Sequence, residues 1–323
     1  MAEPDGEVVV GVNAAAHTTT TTAVIAAGAR EASRLHVGLL LVYPLPAIPP
    51  WLAGLVPPRA GGAPQLAQQL LEQMVEKTAA AHPGIVVQGI LHSGSPAGAL
   101  LAGSDNAELI LVAADDRIRY GGLLAGPVST QVAAHARTSV IVVPTSERPR
   151  SAGPAKVVVG VDGSRGSAEA VAFAFLQARA RSAQLHAIHV WESPNWHGLK
   201  PDLLPAFTAG PLHAAVDQML REATADGEIT YPDVTVVRKV LYGDNPVRAL
   251  TNAADDAALV VVGARGGGGF GNLLLGSISD GLVRYATRMV AVVRGGRSRG
   301  RVERPVVGGS VGPEAAVRGI GMH

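Results

Sequence analysis

Cysteine is absent from the 323-residue chain, which removes disulfides, thiolate zinc sites and cysteine nucleophiles. Aromatic residues amount to only 4%. The core must therefore be built from Ala, Val, Leu and Ile, the set that suits buried parallel strands covered by helices. Charged residues are also few, 16% against 47% hydrophobic, so a disordered polyelectrolyte is excluded. Neither sign of charge dominates: 27 Lys and Arg face 26 Asp and Glu, a net charge of +1. A general electrostatic grip on nucleic acid needs a net basic face and is not expected. No apolar run approaches the roughly 20 residues of a membrane span. The opening Met1-Ala2-Glu3-Pro4-Asp5 shows no basic or apolar signal-peptide region. A soluble cytoplasmic protein with no membrane or nucleic-acid partner is the expectation. Glycine (39) and proline (22) are plentiful without a Gly-X-Y period, as in turn-rich globular structure.

The chain is written twice. Val8-Val9-Val10-Gly11-Val12-Asn13 returns 149 residues later as Val157-Val158-Val159-Gly160-Val161-Asp162. Leu109–Ala113 returns as Leu259–Gly263, and Ser139–Val143 as Met289–Val293, both 150 residues later. A period this long marks a duplicated domain rather than a solenoid. The expected organisation is a first domain over 1–146, a linker over 147–155, a second domain over 156–294 and a flexible basic tail over 295–323. Each copy alternates short apolar runs with longer amphipathic stretches. In the second copy the runs are Val157–Val161, Leu185–Trp191, Val234–Leu241, Leu259–Val262 and Met289–Val293. Helical patterns over Ser167–Arg181, Leu212–Ala225, Pro246–Ala254 and Ser277–Tyr285 separate them. Short strands joined by helices imply parallel pairing through right-handed crossovers. The fold class is therefore α/β, two tandem open five-stranded parallel-sheet domains.

The richest local signal runs from Gly263-Ala264-Arg265-Gly266 through a glycine run to Gly276-Ser277. It begins where the fourth strand of the second copy ends and stops where a helix begins. Glycines let backbone amides approach a ligand, and a helix N-terminus offers unpaired N–H groups and partial positive charge to a phosphate. Ser277 is expected as the N-cap. No Gly-Lys-Ser/Thr follows, so this is not a Walker A loop. Gly266, Gly268 and Gly271 satisfy G-x-G-x-x-G, but after the fourth strand instead of the first. The bland alternative is a flexible loop with an ordinary cap. Asp162 ends the first strand of the same copy. If the strand order is 3-2-1-4-5, Asp162 and Gly263 face one crevice where the order reverses, the usual ligand position in open α/β sheets. A carboxylate for the base or sugar and amides for the phosphates make a nucleotide constellation. Arg265, between the motif glycines, either reaches a phosphate or is simply solvated.

These residues resemble the universal stress protein family in its tandem, ATP-binding form. Gly263-x-x-Gly266, nine residues, then Gly276-Ser277 is similar at every position to the family's signature G-x2-G-x9-G-[S/T]. The resemblance implies the 3-2-1-4-5 order and an adenine nucleotide alpha hydrolase-like fold. It implies that Asp162 and the backbone of Val190 hold the adenine and ribose end of ATP. It further implies that Gly263 lies against the ribose, that Gly266, Gly276 and Ser277 hold the phosphates, and that Mg²⁺ is bound by the phosphates themselves. The first copy departs from the signature at each point. Asn13 replaces the Asp, Ala113 and Asp116 replace the leading glycines, and Gly126-Pro127 stands where Gly-Ser is expected. A carboxylate near a phosphate repels it and Pro127 lacks an amide donor, so the first site is expected to bind ATP poorly or not at all. The resemblance also implies that the fifth strands, Val140–Val143 and Val290–Val293, pair across a pseudo-two-fold axis; a homo-oligomer and an unidentified protein partner are further expectations. No general base is evident. A slow ATPase or an adenylating enzyme of the same superfamily, or a nucleotide-free scaffold, are the alternatives.

Other residues tempt without pointing to chemistry. His186 and His189 sit three apart on a strand and point to opposite faces. Asp255-Asp256 reads as a solvated helix end and Asp115-Asp116 as a loop. Trp191 and Trp196 flank a loop and line either the pocket or a packed surface.

Overall fold

The computed structural model describes residues 6–12, 19–45, 63–114, 128–144, 154–192, 210–243, 245–266, 274–285 and 287–295. The first half contains β1 (Glu7–Gly11), α1 (Thr19–Leu35), β2 (Gly38–Leu45), α2 (Ala63–Ala81), β3 (Val87–Ser93), α3 (Pro96–Ala102), β4 (Ala107–Ala113), α4 (Val128–His135) and β5 (Ser139–Val143). The second half contains β6 (Lys156–Gly160), α5 (Arg165–Ala180), β7 (Gln184–Glu192), α6 (Pro211–Thr230), β8 (Val236–Gly243), α7 (Pro246–Ala253), β9 (Leu259–Gly263), α8 (Ser277–Tyr285) and β10 (Val290–Val293).

The strands form one ten-stranded sheet in the order β3-β2-β1-β4-β5-β10-β9-β6-β7-β8. Each half is parallel and has the 3-2-1-4-5 order. The halves join by antiparallel pairing of β5 with β10, Val142 opposite Val290 and Val140 opposite Val292. Two apolar strands that would each be an exposed edge thus cover one another. Both faces of the sheet are packed, which is why the strands read as continuous apolar runs. Val8, Val10, Val157 and Val159 face the side of α1, α2, α5 and α6, where Phe175 and Leu220 are fully buried. Val9 and Val158 face the side of α3, α4, α7 and α8, with Leu100, Leu250 and Leu282.

One helix differs from its sequence pattern. α6 runs on to Thr230, past the expected end at Ala225. Gly227 is not a stop there: a Cβ at this position would collide with the ring of Phe175. The glycine is a notch in α6 that lets α5 pack close, and the Phe175 ring stacks on Tyr231 at 5.9 Å. Among the described residues, no helix is long and apolar enough to cross a membrane.

Candidate functional site

β6 pairs with β7 on one side and β9 on the other, so the strand order reverses at β6. The carboxyl ends of β6 and β9 therefore open into one crevice, as in other open α/β sheets.

From β6 the chain leaves through Val161 and Asp162. Asp162 Oδ1 accepts the Ser164 N–H at 3.0 Å, a local turn that Asp side chains favour. Gly163, at φ +76°, takes the left-handed conformation this turn requires. Ser164 then caps α5. Its Oγ accepts the Ser167 N–H at 3.2 Å, and Ser167 Oγ donates to the Ser164 carbonyl at 2.9 Å. Replacing Ser164 with Ala is expected to cost about 1 kcal/mol, the usual value of a lost N-cap. Urea unfolding checks this, and no change in the midpoint would show that the cap carries no stability.

From β9 the chain leaves through Gly263. A Cβ on Gly263 would lie 2.7 Å from the Gly166 carbonyl group, and one on Gly166 would collide with the Arg265 carbonyl oxygen. The two backbones cross here at a distance only glycines permit. The Ala264 N–H donates to the Val293 carbonyl at 2.8 Å, and the Gly276 N–H donates back to the Ala264 carbonyl at 2.8 Å. The two ends of the glycine-rich segment are thereby stitched together. Ser279 Oγ donates to the Gly263 carbonyl at 2.6 Å. Gly166 and Ser279 are structural members of this site that the signature does not include. The glycine in Gly163-Ser164-Arg165-Gly166, set in a helix's first turn where nothing local demands it, was the available signal for the first.

The crossing brings Gly266 onto Asp162, 104 residues away in sequence. A Cβ on Gly266 would collide with Asp162 Oδ2. Gly276 is different: a Cβ there would meet protein only at 3.5–3.6 Å, ordinary contact. Among the described residues, packing does not require glycine at that position. The Gly276 carbonyl accepts the Asp280 N–H at 2.9 Å, the first bond of α8. Gly276 is therefore the capping residue and Ser277 the first helical residue, which corrects the expectation that Ser277 is the N-cap. The amides of Ser277, Ile278 and Ser279 have no acceptor within their own helix, as in any first turn. Asp280, also in this turn, is paired with Arg284 at 2.8 Å.

Val190 is half-buried and packs on the α7 side of the sheet. Its neighbour His189 donates from Nδ1 to the Val161 carbonyl at 2.7 Å, and Trp191 meets the His189 ring edge-on at 6.3 Å. His186 meets the side chain of Gln184 instead. Among the described residues, no group of three His, Asp or Glu is placed to hold a metal ion. Asp256 forms an ion pair with Lys156. Arg265 is exposed and close enough to Arg294 for its charge to be felt there. Burial first, and then Arg265, lower the pKa of Arg294 below the ordinary arginine value.

In the first half, Ala113 ends β4 as Gly263 ends β9, and Ala114 N–H donates to the Val143 carbonyl at 2.7 Å. Asn13, Asp115, Asp116, Gly126, Pro127, Trp196, the glycine run over 267–273 and residues 296–323 lie outside the described residues.

A tandem pair of 3-2-1-4-5 sheets, with Gly266 meeting a strand-end aspartate at the order reversal, is the adenine nucleotide alpha hydrolase-like fold. The sequence signature described as the universal stress protein family matches residues 7–144 and again 154–294. The chain belongs to the universal stress protein family. A universal stress protein of Mycobacterium tuberculosis is 31% identical over 282 residues, covering 82% of this chain and 90% of the relative. Another, from Mycolicibacterium smegmatis, is 31% identical over 300 residues, covering 89% and 96%. The crystal structure of a universal stress protein from Archaeoglobus fulgidus shares the fold at a TM-score of 0.65 and 18% identity, covering 90% of this chain and 97% of that one.

Proposed function

We propose that the second half binds ATP, with Mg²⁺ carried by the phosphates, and that the bound nucleotide sets the shape and partner choice of a cytoplasmic, homo-oligomeric stress protein. The observation that carries this reading is the contact of Asp162 with Gly266 at the crossing of Gly166 and Gly263. It sets a carboxylate beside a tethered glycine loop that leads into the N-terminus of α8. Gly276 stands at the entry to α8, where its carbonyl accepts the Asp280 N–H. In this reading Asp162 and the Val190 backbone meet the base and ribose, and Gly263 lies along the ribose. The amides at Gly266 and at the start of α8 meet the phosphates, Ser277 adds its hydroxyl, and Arg265 reaches them from the exposed side. In this reading the phosphates are the ligands of Mg²⁺. The first half, with Asn13, Ala113, Asp116 and Pro127 at the matching positions, in this reading binds ATP poorly or not at all, or holds a different, less charged ligand.

The test is isothermal titration of ATP with Mg²⁺ into the full chain, together with analysis of nucleotide in the purified protein. One ATP per chain is expected. Asp162→Ala is expected to weaken binding roughly 10- to 100-fold, the loss of one charged hydrogen bond of about 1.5–3 kcal/mol. Two ATP per chain, or wild-type affinity in Asp162→Ala, contradicts the reading.

A further inference from the structure

Arg294 follows β10 directly and reaches from the second half into the first. Its Nε and one terminal nitrogen donate to the Ala133 carbonyl, at 3.3 and 2.7 Å. The same nitrogen donates to the Ala134 carbonyl and, at 3.1 Å, to the carbonyl of Leu274. Ala133 and Ala134 lie in the last turn of α4, where carbonyls lack partners in their own helix and carry partial negative charge. Leu274 lies two residues before Gly276, on the limb that enters α8. One guanidinium thus binds the end of a first-half helix and the exit of the second-half glycine loop.

Among the described residues, the arrangement has no counterpart in the other direction. Ala114 N–H to Val143 and Ala264 N–H to Val293 are equivalent bonds in the two halves, so the residue matching Arg294 is Pro144. Proline has no side-chain donor. At this matched position, only the second half carries a side chain that can make the tie.

We propose that Arg294 is a positioning residue that couples ligand binding at the second half's glycine loop to helix α4 of the first half. The proposal rests on the reading that this loop holds ATP. Arg265 and Arg294 are like charges close enough to interact. A polyphosphate at the loop offsets their repulsion and favours the arrangement in which Arg294 grips both Leu274 and α4. A ligand shifts a conformational equilibrium only through such a difference in interaction between two states. The coupling is reciprocal: whatever orders the end of α4 raises the affinity of the loop by the same factor.

The experiment compares the full-length wild type with Arg294→Met and Arg294→Lys, by ATP titration and by amide hydrogen exchange over residues 130–138. Met removes the donors at similar length. Lys keeps the charge without the planar fork and serves if the Met variant folds poorly. In the wild type, saturating ATP is expected to slow exchange at the end of α4. In both variants, ATP is expected to bind about 5- to 10-fold more weakly, within the usual range of coupling between sites. Exchange in α4 is then expected to stay unchanged even at saturation. A merely structural brace would lower thermal stability yet leave the α4 response to ATP in place, and that result overturns the coupling. Unchanged ATP affinity in both variants overturns it as well. A wild type that binds no ATP overturns the reading beneath it and the coupling together.

Discussion

Glu31→Ala is expected to destabilise the chain by about 3–5 kcal/mol, the range seen when one partner of a buried ion pair is removed. Glu31 lies in α1 of the first half and Arg181 at the end of α5 in the second, 150 residues apart, and they pair at 2.5 Å. Their side chains are 3% and 5% exposed. Burial is the main influence on Arg181 and lowers its pKa, while the charge and hydrogen bond of Glu31 raise it and Arg34 and Arg30 lower it further. Glu31 also binds Arg34 at 2.6 Å. It is thus the anion of a cluster richer in cations. Without it, the Arg181 charge stays buried near like charges, which is why the expected loss exceeds that of a surface pair. Urea unfolding of the full chain measures the effect. Glu31→Ala with Arg181→Met is expected to recover much of the stability, because a buried pair replaced by apolar groups is often neutral. Among the described residues Glu31 Oε2 is buried without a hydrogen-bond partner, so the pair already carries a desolvation penalty that the double variant removes. A single-variant loss below about 1 kcal/mol would place this pair with the weak surface pairs.

Gly166→Ala is expected to abolish or severely weaken ATP binding, although Gly166 lies outside the signature. Its Cβ would collide with the Arg265 carbonyl oxygen, a backbone atom that no rotamer change can move. Relief requires shifting either the first turn of α5 or the Arg265–Gly266 segment, and the second shift pulls Gly266 off Asp162. Loss of one or more amide–phosphate bonds, each about 1.5–3 kcal/mol, corresponds to roughly 10- to 100-fold or more in affinity. Gly276→Ala is the informative contrast. Among the described residues its Cβ meets only ordinary contacts, so thermal stability is expected to hold while ATP affinity falls. Equal ATP affinity in Gly166→Ala and the wild type would show that the crossing does not set the loop.

The parts of the site legible in sequence were those with a local pattern. Asp162 after an apolar run, the spaced glycines and the start of α8 each announce themselves within a few residues. Ser277 shows the limit of such reading. A serine after the last glycine looks like a cap, but the carbonyl that accepts the first helical bond belongs to Gly276. Gly227 shows it in reverse: it lies past the expected helix end at Ala225, yet it is inside α6, where the missing Cβ makes room for Phe175. The role of a glycine depends on what lies across from it, and a linear pattern does not carry that information.

By itself the sequence determined the duplication, the apolar runs that must be covered on both faces, and the loop spacing that belongs to one half only. These follow from composition, period and steric rules that act over a few residues. Only the tertiary structure decided that Asp162 rests on Gly266, that Gly166 crosses Gly263, and that Glu31 and Arg294 reach across the seam to partners 150 and 161 residues away. Those contacts depend on strand order, on register and on the antiparallel join of β5 with β10. The first two arise from the strand order within the second half, and the last two from the packing of the two copies against one another, which neither copy specifies alone.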